Sequence, residues 1–291
     1  MPELPEVETI RRDLSTLLGK KIIALEILTP KTASHSAAFF KKTLVNQKLI
    51  RIDRRGKLLI LVMQNGFFLL VHLKMTGQLI FQSKTKKIVG GHSLVEGSYE
   101  KSVGGELPNK HTRAIFYFSG GGVLFFNDLR KFGYLKLVKK DELDEILKKN
   151  YGPEPLTKSF SLENVKNILK NKKTNIKATL LNQKLIAGLG NIYVDEVLFA
   201  SKIIPIRVTS YLKLLEVERL VKETNKIIKK AVEYRGTTFS NYVDSNGKKG
   251  NFSKFLKVYG RGGKACLNCG NIISKIKLVG RGTHYCSNCQ K

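Results

Sequence analysis

The spacing of apolar residues changes period once along this chain, and that change limits the fold to one built from two unlike parts. Before Tyr151, short apolar runs at 22–28, 49–53, 58–63, 67–73, 77–82, 113–118, 123–127 and 133–138 are separated by turn residues, the pattern of an antiparallel β domain. A helix over 5–18 precedes them, with Pro5 at its first position and Val7, Ile10, Leu14, Leu17 and Leu18 on one face. After YGPEPL (151–156) the period becomes helical, over 161–170, 174–185, 190–200 and 214–235. The last stretch is the clearest: Val217, Leu220, Val221, Thr224, Ile227, Ile228, Ala231 and Val232 form one stripe, and Gly236 stops it. Between Phe81 and Lys110 a Gly-, Ser- and Lys-rich segment carries little periodic pattern and is expected to form a long, mobile loop.

The most apolar stretch, Leu58 to Leu73, is broken by Gln64-Asn65-Gly66 into two runs too short to span a bilayer, so a buried hairpin is expected there. The opening PELPEVETIRRDL has neither the apolar core nor the small-residue cleavage site of a signal peptide, which points to the cytoplasm and away from membranes. Charge then narrows the partners. With 52 Lys plus Arg against 23 Asp plus Glu, the net charge is +29, which favours an anionic partner, nucleic acid first, because neutralised phosphates release condensed counterions. Solvated lysines on a Lys-rich surface would give the same number, so charge alone does not decide.

All four cysteines lie in the last 26 residues, as Cys266-x2-Cys269 and Cys286-x2-Cys289. Two CxxC turns separated by 16 residues suit one tetrahedral four-thiolate zinc ion. Disulfides fit poorly with a cytoplasmic chain, and a redox pair needs only one CxxC. Four protein ligands leave no position for water, so the zinc is structural. Between the knuckles, NIISKIKLV and GTHYC read as two strands joined by a Gly280-Arg281-Gly282 turn, with Arg281 at the tip.

The amino terminus offers a nucleophile. Removal of Met1 before the small Pro2 would leave a secondary amine, and an α-amino group titrates near about 7.7–8.0, so part of it is neutral at pH 7. The positive end of the following helix disfavours the ammonium further. Such an amine can attack an aldehyde-like sugar carbon, and Glu3 beside it can move the proton. A Pro-Glu pair at a helix start also serves as ordinary helix initiation.

PELPEVETIRR, RRGK (54–57), HLKMTG (72–77), NDLRKFG (127–133), YGPEPL, AGLGNIYVDE (187–196) and the final CxxC pairs occur in one order from residue 2 to residue 290. Together they resemble the bacterial formamidopyrimidine-DNA glycosylases over essentially the whole chain. The resemblance implies an α+β fold: an N-terminal antiparallel β-sandwich (1–150), a helix-two-turn-helix domain (151–255) and a zinc finger (256–291). It implies a glycosylase and AP lyase acting on oxidised purines in duplex DNA. Pro2 is then the Schiff-base nucleophile, Glu3 the proton donor, Lys57 the lysine that assists β-elimination and Arg281 the arginine of δ-elimination. Met75, Arg130 and Phe132 match the residues that fill the hole left by a flipped base. His72, His111, Lys172, Lys177 and Asn191 match phosphate contacts, the glycines of AGLGN letting backbone amides approach a phosphate. The 244–252 segment, DSNGKKGNF, corresponds to the loop that closes over the flipped base.

Two departures stand out. Lys74 occupies a position usually held by glycine, and the 82–110 segment is roughly twenty residues longer than is usual. Two other readings stay open. The endonuclease VIII branch shares the terminus and the finger but prefers oxidised pyrimidines. A non-catalytic binder of bent duplex would be marked by loss of Pro2, Glu3 or Lys57, and all three are present. A monomer is expected.

Overall fold

The computed structural model describes residues 2–91, 99–237 and 251–291. Its elements are α1 (Leu4–Asp13), β1 (Ile22–Ile27), α2 (Ala37–Leu44), β2 (Leu49–Arg55), β3 (Leu58–Met63), β4 (Phe68–His72), β5 (Gly77–Gln82), β6 (Lys87–Gly91), α3 (Tyr99–Val103), β7 (Thr112–Phe118), β8 (Gly122–Asp128) and β9 (Tyr134–Val138). They continue with α4 (Lys140–Asn150), α5 (Leu162–Leu169), α6 (Ile176–Leu181), α7 (Asn191–Ala200), α8 (Leu214–Glu233), β10 (Ser274–Leu278) and β11 (Arg281–Tyr285). The chain divides into two compact units, Met1–Leu147 with Tyr234–Asn251, and Lys148–Glu233 with Phe252–Lys291.

In the first unit two antiparallel sheets, ordered β1-β7-β8-β5-β6 and β2-β3-β4-β9, form a sandwich. Alternate residues of each strand point into one shared core: Leu79, Phe81, Phe116 and Phe126 from one sheet meet Leu59, Leu61, Val71 and Leu135 from the other, with Val7 and Ile10 of α1 against them. The break at Gln64–Gly66 is the turn of the β3–β4 hairpin, in which Val62 faces Phe68. The first helix is shorter than its apolar stripe, because Leu14–Leu17 tighten into a 3-10 turn that still buries Leu14 and Leu17.

The 82–110 segment differs from the loop expected of it. β6 pairs antiparallel with β5, Ile88 facing Phe81, and α3 follows. Val89 and Val103 join Ile80, Ile115 and Phe125 in a second apolar cluster on the outer face of the sheet. Burial of a few scattered side chains against an existing sheet stabilises these elements without any sequence period. Residues 92–98 lie outside the described residues.

In the second unit the expected helices form, with Ser161 and Asn175 capping α5 and α6 by accepting from Asn164 N and Ala178 N. The helix expected over 174–185 stops at Leu181. In the hairpin of β10 and β11 the turn is Val279-Gly280 rather than 280–282, since Leu278 pairs with Arg281 and both turn residues have positive φ (51° and 68°). Arg281 is therefore the first residue of β11, exposed and beside the tip. Among the described residues no helix is long and apolar enough to cross a membrane.

Candidate active site and nucleic-acid interface

Pro2 and Glu3 are buried at the start of α1, Glu3 being its N-cap. The Glu6 carboxylate accepts from Glu3 N (3.0 Å) and, through its other oxygen, from Thr237 N (2.8 Å) and Thr237 Oγ1 (3.1 Å). One turn on, Glu8 accepts from Arg11, Arg12 and Arg54. Burial raises the Glu8 pKa, but the hydrogen bonds and charges of these arginines outweigh it and hold the carboxyl down at about 2. Arg54 also donates to Gly56 O (3.0 Å), so one guanidinium ties the helix that begins at Pro2–Glu3 to the Gly56-Lys57 turn.

Lys57 is buried beside Leu58, whose strand partner is His72. The His72 ring lies 5.5 Å from that of Tyr134, and its Nδ1 accepts from Lys74 N (3.0 Å), which places the ring proton on Nε2. Burial above all, then the charges of Lys74 and Lys57, push the His72 pKa down to about 3. His72 is thus a neutral donor that can meet a phosphate oxygen through Nε2–H but carries no charge to it at pH 7. Half-buried His111 is also shifted down, by burial, Lys110 and Arg113. Its backbone fixes the turn that enters β7 and ties it to β8: His111 N donates to Asn109 Oδ1, and His111 O accepts from Asp128 N.

Met75, Arg130 and Phe132, far apart in the chain, come together. Arg130 Nη1 approaches Met75 Sδ at 3.7 Å, and the guanidinium carbon lies 4.7 Å from the centre of the Phe132 ring. Phe132 is 54% exposed, a large apolar surface left in water at the end of a sheet.

In the second unit Lys172 is half-buried in the turn after α5. Lys177 corrects an expectation. It is fully buried, with Nζ 2.6 Å from Asp195 Oδ1 and 3.3 Å from Gly282 O, so its ammonium holds the interior and does not face a phosphate. Asn191, at the start of α7, donates from Nδ2 to the same Gly282 O (2.9 Å). The other Asp195 oxygen accepts from His284 N (2.9 Å). Helix start and hairpin tip are thereby fixed together, with exposed Arg281 adjoining Gly282. Glu196 accepts from Lys257 N, Val258 N and Tyr259 N (2.8–2.9 Å), fixing the segment that leads to the cysteines.

The ligand atoms of Cys266, Cys269, Cys286 and Cys289 all lie within 4.8 Å of one another, with Sγ–Sγ distances of 4.0 Å (266–289) and 3.5 Å (269–286). Zn–S bonds of about 2.3 Å in a tetrahedron require sulfurs about 3.8 Å apart, so this donor set fits one structural zinc ion. Asn288 and the Asn271 amide favour the thiolate of Cys269, lowering its pKa to about 6. The 244–252 loop lies outside the described residues except for Asn251 and Phe252. Sequence reasoning missed Thr76, Glu8, Arg54, Asp128 and Asp195, whose importance depends on partners distant in the chain. Each lies inside one of the ordered motifs, which marked the segment but not the residue.

Three family models match: the formamidopyrimidine-DNA glycosylase N-terminal domain over residues 1–135, its H2TH domain over 151–243, and the zinc finger found in FPG and IleRS over 263–291. The formamidopyrimidine-DNA glycosylase of Pelotomaculum thermopropionicum is 41% identical over 278 residues, 94% of each chain. That of Lactobacillus gasseri is 40% identical over 277 residues, 94% of this chain and 93% of its own. A Lactococcus lactis FPG mutant in complex with Fapy-dG containing DNA superposes with a TM-score of 0.87 at 36% identity, covering 100% of both chains. The wild-type L. lactis protein bound to an oxidised pyrimidine containing DNA gives 0.85 at 36% identity, again over 100% of both. A β-sandwich with an exposed Met75-Arg130-Phe132 cluster, a helical domain and a four-cysteine finger, matched by all three family models, define the class, a DNA glycosylase of base excision repair. The chain belongs to the formamidopyrimidine-DNA glycosylase family.

Proposed function

We propose that this glycosylase excises oxidised purines, 8-oxoguanine and formamidopyrimidines, from duplex DNA and then cleaves the abasic strand as an AP lyase. The observation that carries the reading is the convergence of Met75, Arg130 and Phe132 into one exposed cluster, a plug of the right chemistry for the hole a flipped base leaves. A thioether and an aromatic ring fill the stack, and the guanidinium donates to the orphaned base.

With Met1 removed, the Pro2 amine attacks C1′ of the flipped nucleotide. The N–C1′ bond forms as the glycosidic bond breaks, and the proton shed by the Pro2 nitrogen ends on the departing base. Glu3, buried at the N-cap, donates to the ring oxygen as the sugar opens, giving the iminium between Pro2 and C1′. Transfer of a C2′ proton to water then breaks the C3′–O bond and expels the 3′-phosphate, with Lys57 assisting. A second elimination expels the 5′-phosphate, with Arg281 as its cation. Hydrolysis of the remaining imine frees Pro2. His72, His111, Lys172 and Asn191 contact the DNA backbone, while Lys177 acts from the interior. The zinc finger holds the hairpin, and the protein works as a monomer in the cytoplasm.

Borohydride trapping tests the proposal. On a duplex with 8-oxoguanine opposite cytosine, the protein should form a covalent adduct at residue 2 that Pro2→Gly abolishes. A stronger adduct on oxidised thymine would favour the second reading, a preference for oxidised pyrimidines, a lesion class with which the L. lactis protein also forms a complex.

A further inference from the structure

Two separate loops carry the wedge. Met75 lies in the turn between β4 and β5; Arg130 and Phe132 lie between β8 and β9. The geometry points to Asp128, acting with Thr76, as the positioning residue that locks these loops into a single probe, an inference that rests on the wedge reading of Met75, Arg130 and Phe132.

Asp128 is 1% exposed, and three donors from both loops converge on its two oxygens. Oδ1 accepts from Thr76 Oγ1 (2.5 Å) and from Arg130 N (3.2 Å), and Oδ2 accepts from Gly133 N (2.7 Å). The Thr76 hydroxyl, while donating to Asp128, itself accepts from Arg130 N (3.0 Å). The first loop is thus bonded to the backbone amide of the residue that bears the wedge guanidinium. The second is clamped at both ends of its turn, at Arg130 and at Gly133. Beneath the clamp, strand pairing sets Gly77 opposite Asp128.

The chemistry calls for a carboxylate. Both oxygens face donors, so an asparagine in the same place would turn its NH2 against either Gly133 N–H or the Thr76 and Arg130 donors, and would leave one of them unpaired in the interior. Threonine is required for its hydroxyl, the one side-chain group here that donates and accepts at once. A wedge enters a duplex productively only when its three side chains arrive together. Fixing their relative positions before contact removes that ordering cost from the flipping step.

The test uses the full zinc-loaded chain with Met1 removed, as Asp128→Asn, Thr76→Val, Thr76→Ser and, for calibration, Arg130→Ala. Two substrates are compared: an 8-oxoguanine:cytosine duplex, which must be opened and plugged, and a single strand with a preformed abasic aldehyde, which has no stack to fill. Thr76→Val and Asp128→Asn should lower kcat/KM on the duplex by about 10- to 100-fold and change borohydride trapping on the single strand by less than about twofold. Thr76→Ser should restore most of the duplex activity, and thermal melting identifies any variant that is merely unfolded. Equal losses on both substrates would make Asp128 and Thr76 ordinary structural residues and overturn the inference. Full duplex activity in Thr76→Val and Asp128→Asn, with Arg130→Ala impaired, would overturn the clamp alone. Full duplex activity in Arg130→Ala would remove the wedge reading and the clamp with it.

Discussion

Lys74 shows at the scale of one residue why glycine suits its position. Its φ is 49°, in the left-handed region that costs a side-chain-bearing residue about 1 kcal/mol, and its amide must turn back to reach His72 Nδ1. The lysine adds something in return: its ammonium lies 5.6 Å from the Tyr134 ring and helps keep His72 neutral. Because the His72 pKa is depressed in the folded chain, its share of stability is complete above about 6.5 and is lost as pH falls towards about 3. Lys74→Gly should therefore raise the His72 midpoint, read by NMR titration. The melting temperature should shift by only a few degrees, relief of the left-handed strain being offset by the added chain entropy of glycine. A lower midpoint would show that Lys74 does not act on the ring. HLKMTG revealed the position of Met75 and the oddity of Lys74, but not the reason for it, since φ follows from the turn rather than from local propensity.

At the scale of elements, regular strands with a clear core side were legible and elements added to a finished surface were not. The eight expected strands all form, because each alternates into the sandwich core. β6 and α3 escaped notice because their few apolar residues need the outer face of a sheet already built. β6 depends on close backbone approach instead of side-chain pattern. Gly91 has φ 125°, and a Cβ there would lie 2.3 Å from Gly77 O on the neighbouring strand. Gly91→Ala should cost about 1–3 kcal/mol in urea unfolding. Because Gly77 follows the Met75 turn directly, lesion excision should also suffer under conditions where the variant remains folded. An unchanged unfolding midpoint would mean that β6 is not held at this register. The same reasoning applies to Asp128, invisible as a clamp until β5 and β8 are paired.

For the whole molecule, the ordered motifs made the family and the four-cysteine zinc site legible, whereas the burial of Lys177 was not, because an ammonium reads the same in sequence whether it faces a phosphate or a buried carboxylate. The net charge of +29 suits a DNA partner. On the proposed role of Arg281, the four cysteines decide whether the arginine beside the hairpin tip can be used at all. Removing zinc with a chelator at neutral pH should abolish cleavage of lesion-bearing duplex, and re-added zinc should restore it. Full activity of metal-free protein would contradict the structural role of the site.

The manner in which the finger is anchored also bears on protein engineering. Gly282 is held by Lys177 and Asn191, His284 N by Asp195, and the approach to the cysteines by Glu196, all from outside the finger. The finger is consequently not a portable cassette. Transplanted alone into another scaffold, residues 263–291 would keep their metal but lose their aim, and a chimera that is to point Arg281 at a phosphate must bring the α6 and α7 residues with it.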